Sequence, residues 1–365
     1  MLAGLALTPH LWVSWGRLYP RAPVGALGAM PAGVEAAMFA ALLLALAAAL
    51  VMWRARWPAV CALLLLAAFA TGDEPRLQPG VYVYSALLLI VIAGRAEPSG
   101  DAALLMTARF VLAATYFWSG ALKANYSFLH RTWIEFSTPL LALLAPPAAE
   151  LLRGSGFIVP LLECTIGCAL LWRRTRRFAV IGAVLMHGTI LALLIAAGEN
   201  TVVWPWNVAM PLLTIVLFWR ADARPHEILL GRGSPLHWAF VVLLGFMPAL
   251  SLVGLWPADL SVSLYAGNIA QAVVTVDPSG LDRLPPAVRA NTWQRSSPMF
   301  IDLNRWSYDA LNVPAYPEPR IFKRLGRAVC NSFPGVSIAL LVFDAPDWRT
   351  GARSRESFSC RDPSW

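Results

Sequence analysis

The length, composition and charge of this chain exclude several classes of protein. Of its 365 residues, 58% are hydrophobic and only 14% are charged. A soluble domain is close to half apolar and about a quarter charged, so the composition excludes an ordinary soluble protein. The net charge of +8 at pH 7 does not indicate a nucleic-acid partner, because the Arg residues lie in short segments between apolar stretches, where they set membrane topology.

The apolar stretches predict an all-α polytopic membrane helical bundle with about eight spans. Several are shorter than the roughly 20 residues that a helix needs to cross about 30 Å of hydrocarbon. The eight ranges are 32–52, 57–72, 80–94, 102–123, 155–172, 177–197, 202–219 and 237–256. Residues 1–31 are predicted to be either an interfacial helix with Trp12 and Trp15 at headgroup level or a ninth, short span. Residues 124–154 are predicted to be a loop that contains a half-helix at the interface.

The orientation follows from the segment RRTRR at residues 173–177, because short cytoplasmic loops carry an excess of positive charge. The strong preference for Arg over Lys is typical of a GC-rich bacterial genome, so the membrane is expected to be a bacterial inner membrane. The chain then divides into an N-terminal segment, 1–31, a transmembrane bundle, 32–256, and an extracytoplasmic domain, 257–365. The lipid bilayer is the first partner that the sequence predicts.

The C-terminal domain is predicted to be a small α+β domain. The alternating segments SVSLYAG, QAVVTVD and VSIALLVFD favour strands. The segments DLNRWSYDAL and RIFKRLGRAVC favour helices, separated by turn-forming residues. Cys330 and Cys360 lie in this domain, where an oxidising compartment favours a disulfide, and two free thiols are the alternative.

Ionisable residues inside the predicted spans are candidates for function, since a charge within a bilayer is costly without a partner or a role. Arg109 and Lys123 lie in the fourth span, Glu163 in the fifth and His187 in the sixth. Glu163 requires protonation or a partner, and Arg109, Lys123 and His187 are the available partners. Lys123 either acts as a base or ligand contact, or anchors the helix end at the interface.

The fourth span also has a polar face. Arg109, Tyr116, Gly120 and Lys123 lie at offsets of 0, 7, 11 and 14 residues, which places them within about 60° of one another on a helix. Gly120 leaves room for a neighbouring helix or a ligand.

Further candidates lie in the segment WPWN, near the start of the seventh span. Trp204 and Trp206 offer an aromatic wall for a planar ring, and Asn207 offers hydrogen bonds. The alternative is that the Trp residues belong to the aromatic belt at the membrane interface. Motifs of metal hydrolases, phosphate-binding loops and serine hydrolases are absent from the sequence, so no metal site is predicted.

The pattern R-x6-YFWSG-x2-K, followed by PLLE-x3-G-x2-LL-x-RRTRR and a span with a central His, resembles the DoxX/MauE-like membrane proteins. That resemblance implies a small helical bundle linked with redox or quinone partners. The YFxxGxxK element also resembles the horizontally transferred transmembrane domain of vitamin-K-dependent gamma-carboxylases. In that domain the Lys three residues after the Gly is the base that deprotonates vitamin K hydroquinone, a role that would fall on Lys123. The segments DEPRLQPGVYVY, VVWPWN and WSYDALNVPAYPE resemble a bacterial group that joins such a bundle to a C-terminal domain.

The sequence therefore predicts a membrane protein that binds or acts on a quinone-like lipophilic ring. Lys123, Glu163 and His187 are the predicted catalytic residues, with Lys123 as the base. The residues predicted to contact the ligand are Arg109, Tyr116, Gly120, Trp204 and Asn207. The alternative function is a non-enzymatic membrane scaffold or assembly factor whose outer domain docks a periplasmic protein.

Overall fold

The computed structural model describes residues 1–24, 30–96, 101–198, 200–231, 234–293 and 298–360, and it is mostly helical. The helices of its first half are α1 Leu2–Ala6, α2 Pro9–Trp12, α3 Ala32–Val51, α4 Trp57–Gly72, α5 Pro79–Ala96, α6 Asp101–Lys123, α7 Trp133–Leu141 and α8 Pro146–Gly154. Those of its second half are α9 Ile158–Leu171, α10 Arg176–Ala197, α11 Trp204–Phe218, α12 Pro225–Leu230, α13 Pro235–Phe240, α14 Pro286–Arg289, α15 Leu303–Leu311 and α16 Pro319–Ser332.

By length and composition, six segments of the described residues are able to cross a membrane, which makes this a multi-pass membrane protein. They are Ala32–Val51, Ala102–Lys123, Pro146–Leu171, Arg176–Ala197, Thr201–Phe218 and Pro235–Val253. The apolar helices Trp57–Gly72 and Pro79–Gly94 are shorter, so the prediction of about eight spans is confirmed only for six. The span predicted over 155–172 begins earlier, at Pro146, because α8 continues through one helical turn into α9.

The N-terminal segment is folded into the protein core. Its helices α1 and α2 contain five and four residues, too few to cross about 30 Å of hydrocarbon. Trp12 is buried, with its ring stacked 6.3 Å from that of Phe39 and edge-on to Phe69 at 5.3 Å. Trp12 is therefore covered by neighbouring aromatic rings, and its position at headgroup level stays a prediction. Trp15 is exposed.

Buried ion pairs attach this segment to the bundle. Arg76, in the turn between α4 and α5, lies 2.5 Å from Glu35 at the start of α3. Its guanidinium also donates to the carbonyl oxygens of Leu11 and Trp12. Asp73 forms a second buried pair with Arg17 at 2.7 Å. Each charge has a partner of opposite sign and further hydrogen bonds, which a buried ion pair requires.

The C-terminal domain contains a five-stranded antiparallel sheet in the order β2-β3-β1-β4-β5. The strands are β1 Gln271–Val276, β2 Thr292–Trp293, β3 Met299–Asp302, β4 Ile338–Phe343 and β5 Arg355–Ser359. Alternate residues of β1 and β4 are buried, and Val274 pairs with Leu340 in this buried layer. Helices α15 and α16 pack on the sheet.

Most of the elements predicted for this domain are confirmed, including the two strands QAVVTVD and VSIALLVFD and both helices. The strand predicted for SVSLYAG is wrong. Val262 and Tyr265 in that segment have φ values of 55° and 56°, which interrupt an extended strand. Cys330 and Cys360 are disulfide-bonded, with Cα atoms 5.6 Å apart.

One hydrophobic core joins the C-terminal domain to the membrane bundle. It contains Trp12 from the N-terminal segment, Leu42 from α3, Phe69 from α4 and Val274 from the sheet. Arg324 of α16 reaches Glu74, in the turn after α4, at 2.9 Å. The C-terminal domain therefore packs against the N-terminal segment and the end of the bundle formed by α3 and α4.

Replacing Cys330 and Cys360 with Ala is expected to destabilise the domain. The disulfide closes a loop with a sequence separation of 30, which the chain-entropy relation values at about 3–4 kcal/mol of unfolding free energy. Thermal unfolding of the purified protein in detergent measures the loss, and Cys61→Ala, at an exposed free thiol, is the matched control. Equal melting temperatures for the double variant and the control would contradict the expectation.

Candidate functional site

Helices α6 and α9 approach each other at two glycines. A Cβ atom at Gly120 would lie 2.6 Å from the backbone nitrogen of Cys164 and 2.7 Å from the carbonyl oxygen of Pro160. A Cβ atom at Gly167 would lie 2.6 Å from the backbone nitrogen of Phe117. Neither helix can carry a side chain at these points, so the two backbones are in direct contact, as is typical of small residues between membrane helices.

This contact places Lys123 beside Glu163. The Lys123 Nζ atom lies 2.8 Å from Glu163 Oε2, and the side chains are only 7% and 6% exposed. The ammonium also donates to the carbonyl oxygen of Ser119 at 3.1 Å and to its hydroxyl at 2.8 Å. An ammonium has three hydrogens to donate, so all three are used in this state.

A second polar cluster lies on helices α6, α10 and α11. His187 Nδ1 lies 2.8 Å from Asn207 Oδ1, and His187 Nε2 lies 3.1 Å from the Tyr116 hydroxyl. The Tyr116 hydroxyl also lies 3.1 Å from the Thr214 hydroxyl. The Asn207 amide nitrogen donates to the Val203 carbonyl, which leaves Asn207 Oδ1 as the acceptor.

These contacts define one arrangement of protons for a neutral His187. Its Nδ1–H donates to Asn207, its Nε2 accepts from Tyr116, and the Tyr116 oxygen accepts from Thr214. If His187 takes a second proton, the Tyr116 and Thr214 hydroxyls reverse, and Thr214 donates to the Met210 carbonyl oxygen at 2.8 Å. The Tyr116 and Thr214 hydroxyl groups can therefore accommodate a second proton on His187 by rotating about their C–O bonds.

Both clusters line one cavity of about 400 Å³ inside the bundle. Helices α6, α7, α9, α10 and α11 contribute to its wall, as does the segment after the last apolar helix. The wall is largely apolar and aromatic, with Trp133, Phe136 and Trp206 among its residues. A cavity of this kind, with a few convergent polar groups, is typical of a small-molecule site.

Five of the eight predicted site residues meet in this cavity. They are Tyr116, Lys123, Glu163, His187 and Asn207. The partner that Glu163 requires is Lys123.

The other three do not line the cavity. Gly120 lies against the backbone of α9, where it positions the ion pair. Arg109 shares a face of α6 with Tyr116 but lies two turns earlier, about 10 Å along the axis. Its guanidinium donates to the Leu217 carbonyl oxygen at 2.7 Å. Trp204 is also absent from the lining, and Trp206, two residues later, provides the aromatic wall.

Two residues of the site, Ser119 and Thr214, were not predicted from the sequence. Ser119 precedes Lys123 by four residues and Thr214 follows Asn207 by seven, spacings that place each pair on one helix face. That periodicity could have identified both residues. Trp206 was predicted together with Trp204 as an aromatic wall, and the sequence carried no signal to choose between the two.

Within the described ranges, no group of three or more His, Cys, Asp or Glu side chains is placed to hold a metal ion. No family model matches the chain, and neither a curated protein nor a solved structure matches it. The resemblance to the DoxX/MauE and carboxylase groups therefore stays a prediction.

Replacing Gly120 with Ala is expected to destabilise the bundle. The added methyl group would overlap the α9 backbone, and overpacking of this kind costs about 1–3 kcal/mol. The measurement is thermal unfolding in detergent. Gly188→Ala is the matched control, because a Cβ at Gly188 in α10 has no atom within 4 Å. If Gly120→Ala were as stable as Gly188→Ala, α6 and α9 would be able to move apart without loss of stability, which would contradict the expectation.

Proposed function

We propose that this protein binds a quinone-like lipophilic ring in the cavity between α6, α7, α9, α10 and α11. The observation that carries the proposal is the convergence of Lys123, Glu163, Tyr116, His187 and Asn207 on one largely apolar cavity. Apolar and aromatic walls suit a hydrocarbon ring, and a ring carrying oxygen atoms requires hydrogen-bond donors at defined positions. The Lys123 ammonium is a donor of that kind, as is the Tyr116 hydroxyl when it releases His187 Nε2.

Lys123 and Glu163 would handle charge and protons at this site. All three ammonium hydrogens are engaged, so a ligand oxygen at Nζ would replace the Ser119 hydroxyl, which lines the same cavity. Along the 2.8 Å contact a proton can pass from Nζ to Glu163 Oε2, giving a neutral amine and a carboxylic acid. A low-dielectric site reduces the cost of the neutral pair relative to two charges. Lys123 would then serve as a base, the role implied by the resemblance to the carboxylase transmembrane domain.

The alternative proposal is a membrane scaffold whose C-terminal domain docks another protein. The observation that favours it is the edge strand β5, most of which is exposed and which pairs only with β4 among the described strands. An open edge of this kind can accept an extended segment of a partner chain. A co-purifying periplasmic protein, without a bound ring, would support the scaffold.

Eight membrane crossings in a bacterial inner membrane, with the C-terminal domain outside the cytoplasm, complete the proposal. The turn after α4 contacts the C-terminal domain through Glu74 and Arg324, and the N-terminal segment contacts it through Leu7 and Asn312. The segment before α3 and the turn after α4 therefore lie on the same side of the membrane as the C-terminal domain. If α3 crosses the membrane, α4 must cross it in the opposite direction. Three candidate spans separate the RRTRR segment from the C-terminal domain, so the two lie on opposite sides.

Alkaline phosphatase fused after residue 365 is expected to be active, and a fusion at Thr175 is expected to be inactive. The reason is that the Arg-rich loop remains in the cytoplasm while an odd number of spans follows it. Colony assays with matched expression measure both fusions. The reverse pattern would refute the proposed orientation.

Replacing Lys123 with Arg is expected to abolish retention of a lipophilic ring. Arg keeps its proton, and its planar guanidinium does not fit a site shaped by an ammonium. The measurement is the amount of ring compound extracted from the purified protein, identified by absorbance and mass spectrometry. Lys323→Arg is the matched control, because Lys323 is the chain's other Lys and lies on the C-terminal domain, paired with Glu356.

A second variant separates ligand binding from stability. Lys123→Met leaves the Glu163 carboxylate buried without its partner, which costs about 3–5 kcal/mol. Adding Glu163→Met removes that charge and is expected to restore most of the melting temperature without restoring ligand retention. Equal retention by the wild type and Lys123→Arg would favour the scaffold.

A further inference from the structure

A second cavity, of about 260 Å³, lies where the C-terminal domain meets the bundle. Its wall is formed by the N-terminal segment, the starts of α5 and α11, the segment from Asp259 to Gln271, and α15. The groups in this wall take no part in the ion pair of Lys123 and Glu163.

Asp259 is the unusual residue of this cavity. It is only 8% exposed and forms no side-chain hydrogen bond or ion pair within the described residues. Burial, together with the smaller effect of the nearby Glu318 carboxylate, raises the pKa of its carboxyl to about 8. A buried carboxylate without a cation is costly, so such groups lose their charge or acquire a partner.

A second acceptor lines the same cavity. The Asn200 amide nitrogen donates to the hydroxyls of Tyr265 and Tyr308, while its Oδ1 is buried and has no hydrogen-bond partner in the described part of the chain. Two acceptors that lack donors therefore share one cavity, which indicates a ligand rich in donors.

The remaining wall suits a positive charge. Aromatic rings of Tyr84, Trp206, Tyr265 and Tyr308 line the cavity, and aromatic faces attract cations. Among the described lining residues no Lys or Arg side chain is present. Met1 belongs to the same lining and forms no ion pair with Asp259.

We propose that this second cavity binds an organic primary ammonium carried on an apolar or aromatic group, with Asp259 as its counter-ion and Asn200 Oδ1 as a further acceptor. An ammonium offers three hydrogens and a compact charge, which match two acceptors and an aromatic wall. The ammonium belongs either to a free amine or to a lipid headgroup.

Binding of a cation requires the ionised carboxyl, so it releases a proton from Asp259 at neutral pH. The charged and titratable groups around Asp259 are Glu318, Tyr82 and Tyr316. Glu318 opposes ionisation, and the two Tyr hydroxyls are bonded to each other at 3.2 Å. Well below the pKa of Asp259, the affinity for the cation is therefore expected to increase about tenfold for each unit by which the pH is raised. Above that pKa the carboxyl is already ionised, and the affinity is expected to level off.

The test is calorimetric titration of the full chain in detergent with phenethylamine and with its neutral analogue phenethyl alcohol. The amine is expected to bind at least about tenfold more tightly than the alcohol at pH 8, since the alcohol lacks the charge. Its affinity is expected to fall about five- to sixfold between pH 8 and pH 7, because the ionised fraction of a carboxyl with a pKa of about 8 falls from about one half to about one eleventh. Equal affinity for the two compounds, or no binding of the amine, would overturn the proposal.

Asp259→Asn keeps the shape of the side chain and removes its charge. The variant is expected to lose amine binding and to melt at the same or a higher temperature than the wild type without amine, because it removes an unpaired buried carboxyl. Asp309→Asn, at an exposed position of α15, is the matched control. Retained binding in Asp259→Asn, or a lower melting temperature in the absence of amine, would show that Asp259 is structural.

Two further measurements identify the source of the ammonium and separate this site from the proposed ring site. Phosphatidylethanolamine in nanodiscs competes with phenethylamine if the natural ligand is a lipid headgroup, and lack of competition assigns the site to a free amine. Lys123→Arg is expected to leave amine binding unchanged. A loss of amine binding in that variant would place the amine in the other cavity and overturn the proposal.

Discussion

The close contact between α6 and α9 is the constraint on which the internal site depends. Gly120 and Gly167 allow the two backbones to touch, and that contact brings Lys123 within 2.8 Å of Glu163. A buried pair of opposite charges is tolerated only when its geometry is good and its remaining hydrogens are used. Both conditions are met here because Ser119 accepts the other two ammonium hydrogens. The packing of two helices thus determines the chemistry of the cavity.

Periodicity and the cost of buried charge predicted much of this arrangement. Glu163 and Lys123 were identified from sequence because each lies in an apolar span, and His187 for the same reason. The sequence could not show that Arg109 lies outside the cavity, since helical periodicity gives the angle around an axis but not the position of the neighbouring helices along it. The partner of Arg109 is a backbone carbonyl on α11, which no side-chain pattern reveals.

In the C-terminal domain, strands and helices were predicted where apolar residues alternate or repeat regularly, as in β1 and α16. The segment SVSLYAG has the same alternation but forms turns, because Val262 and Tyr265 have positive φ and their side chains line or support the cavities rather than a sheet. Asp259 lay beyond the last predicted span and carried no motif, so only its burial identified it. Tertiary contacts had to be known before either feature could be interpreted.

The two cavities share part of their walls. Thr132, Val203, Trp206, Leu264 and Tyr265 line both. A change of rotamer at Trp206 or Tyr265 would therefore alter the shape of both spaces at once. The cavity at the junction between bundle and domain therefore adjoins the cavity inside the bundle.

The N-terminal segment packs against a domain that follows the whole bundle in the sequence. Asn312 donates to the Leu7 carbonyl across 305 residues of sequence, and Arg324 donates to the Pro23 carbonyl across 301. During synthesis, residues 1–24 cannot make these contacts until the bundle and most of the C-terminal domain have been synthesised. Closure of such distant contacts is slow and exposes the nascent protein to aggregation. The order of synthesis thus makes this junction form only after the bundle has been made, and a chain truncated before α15 would leave Tyr19 without the Trp306 ring that lies 5.3 Å from it.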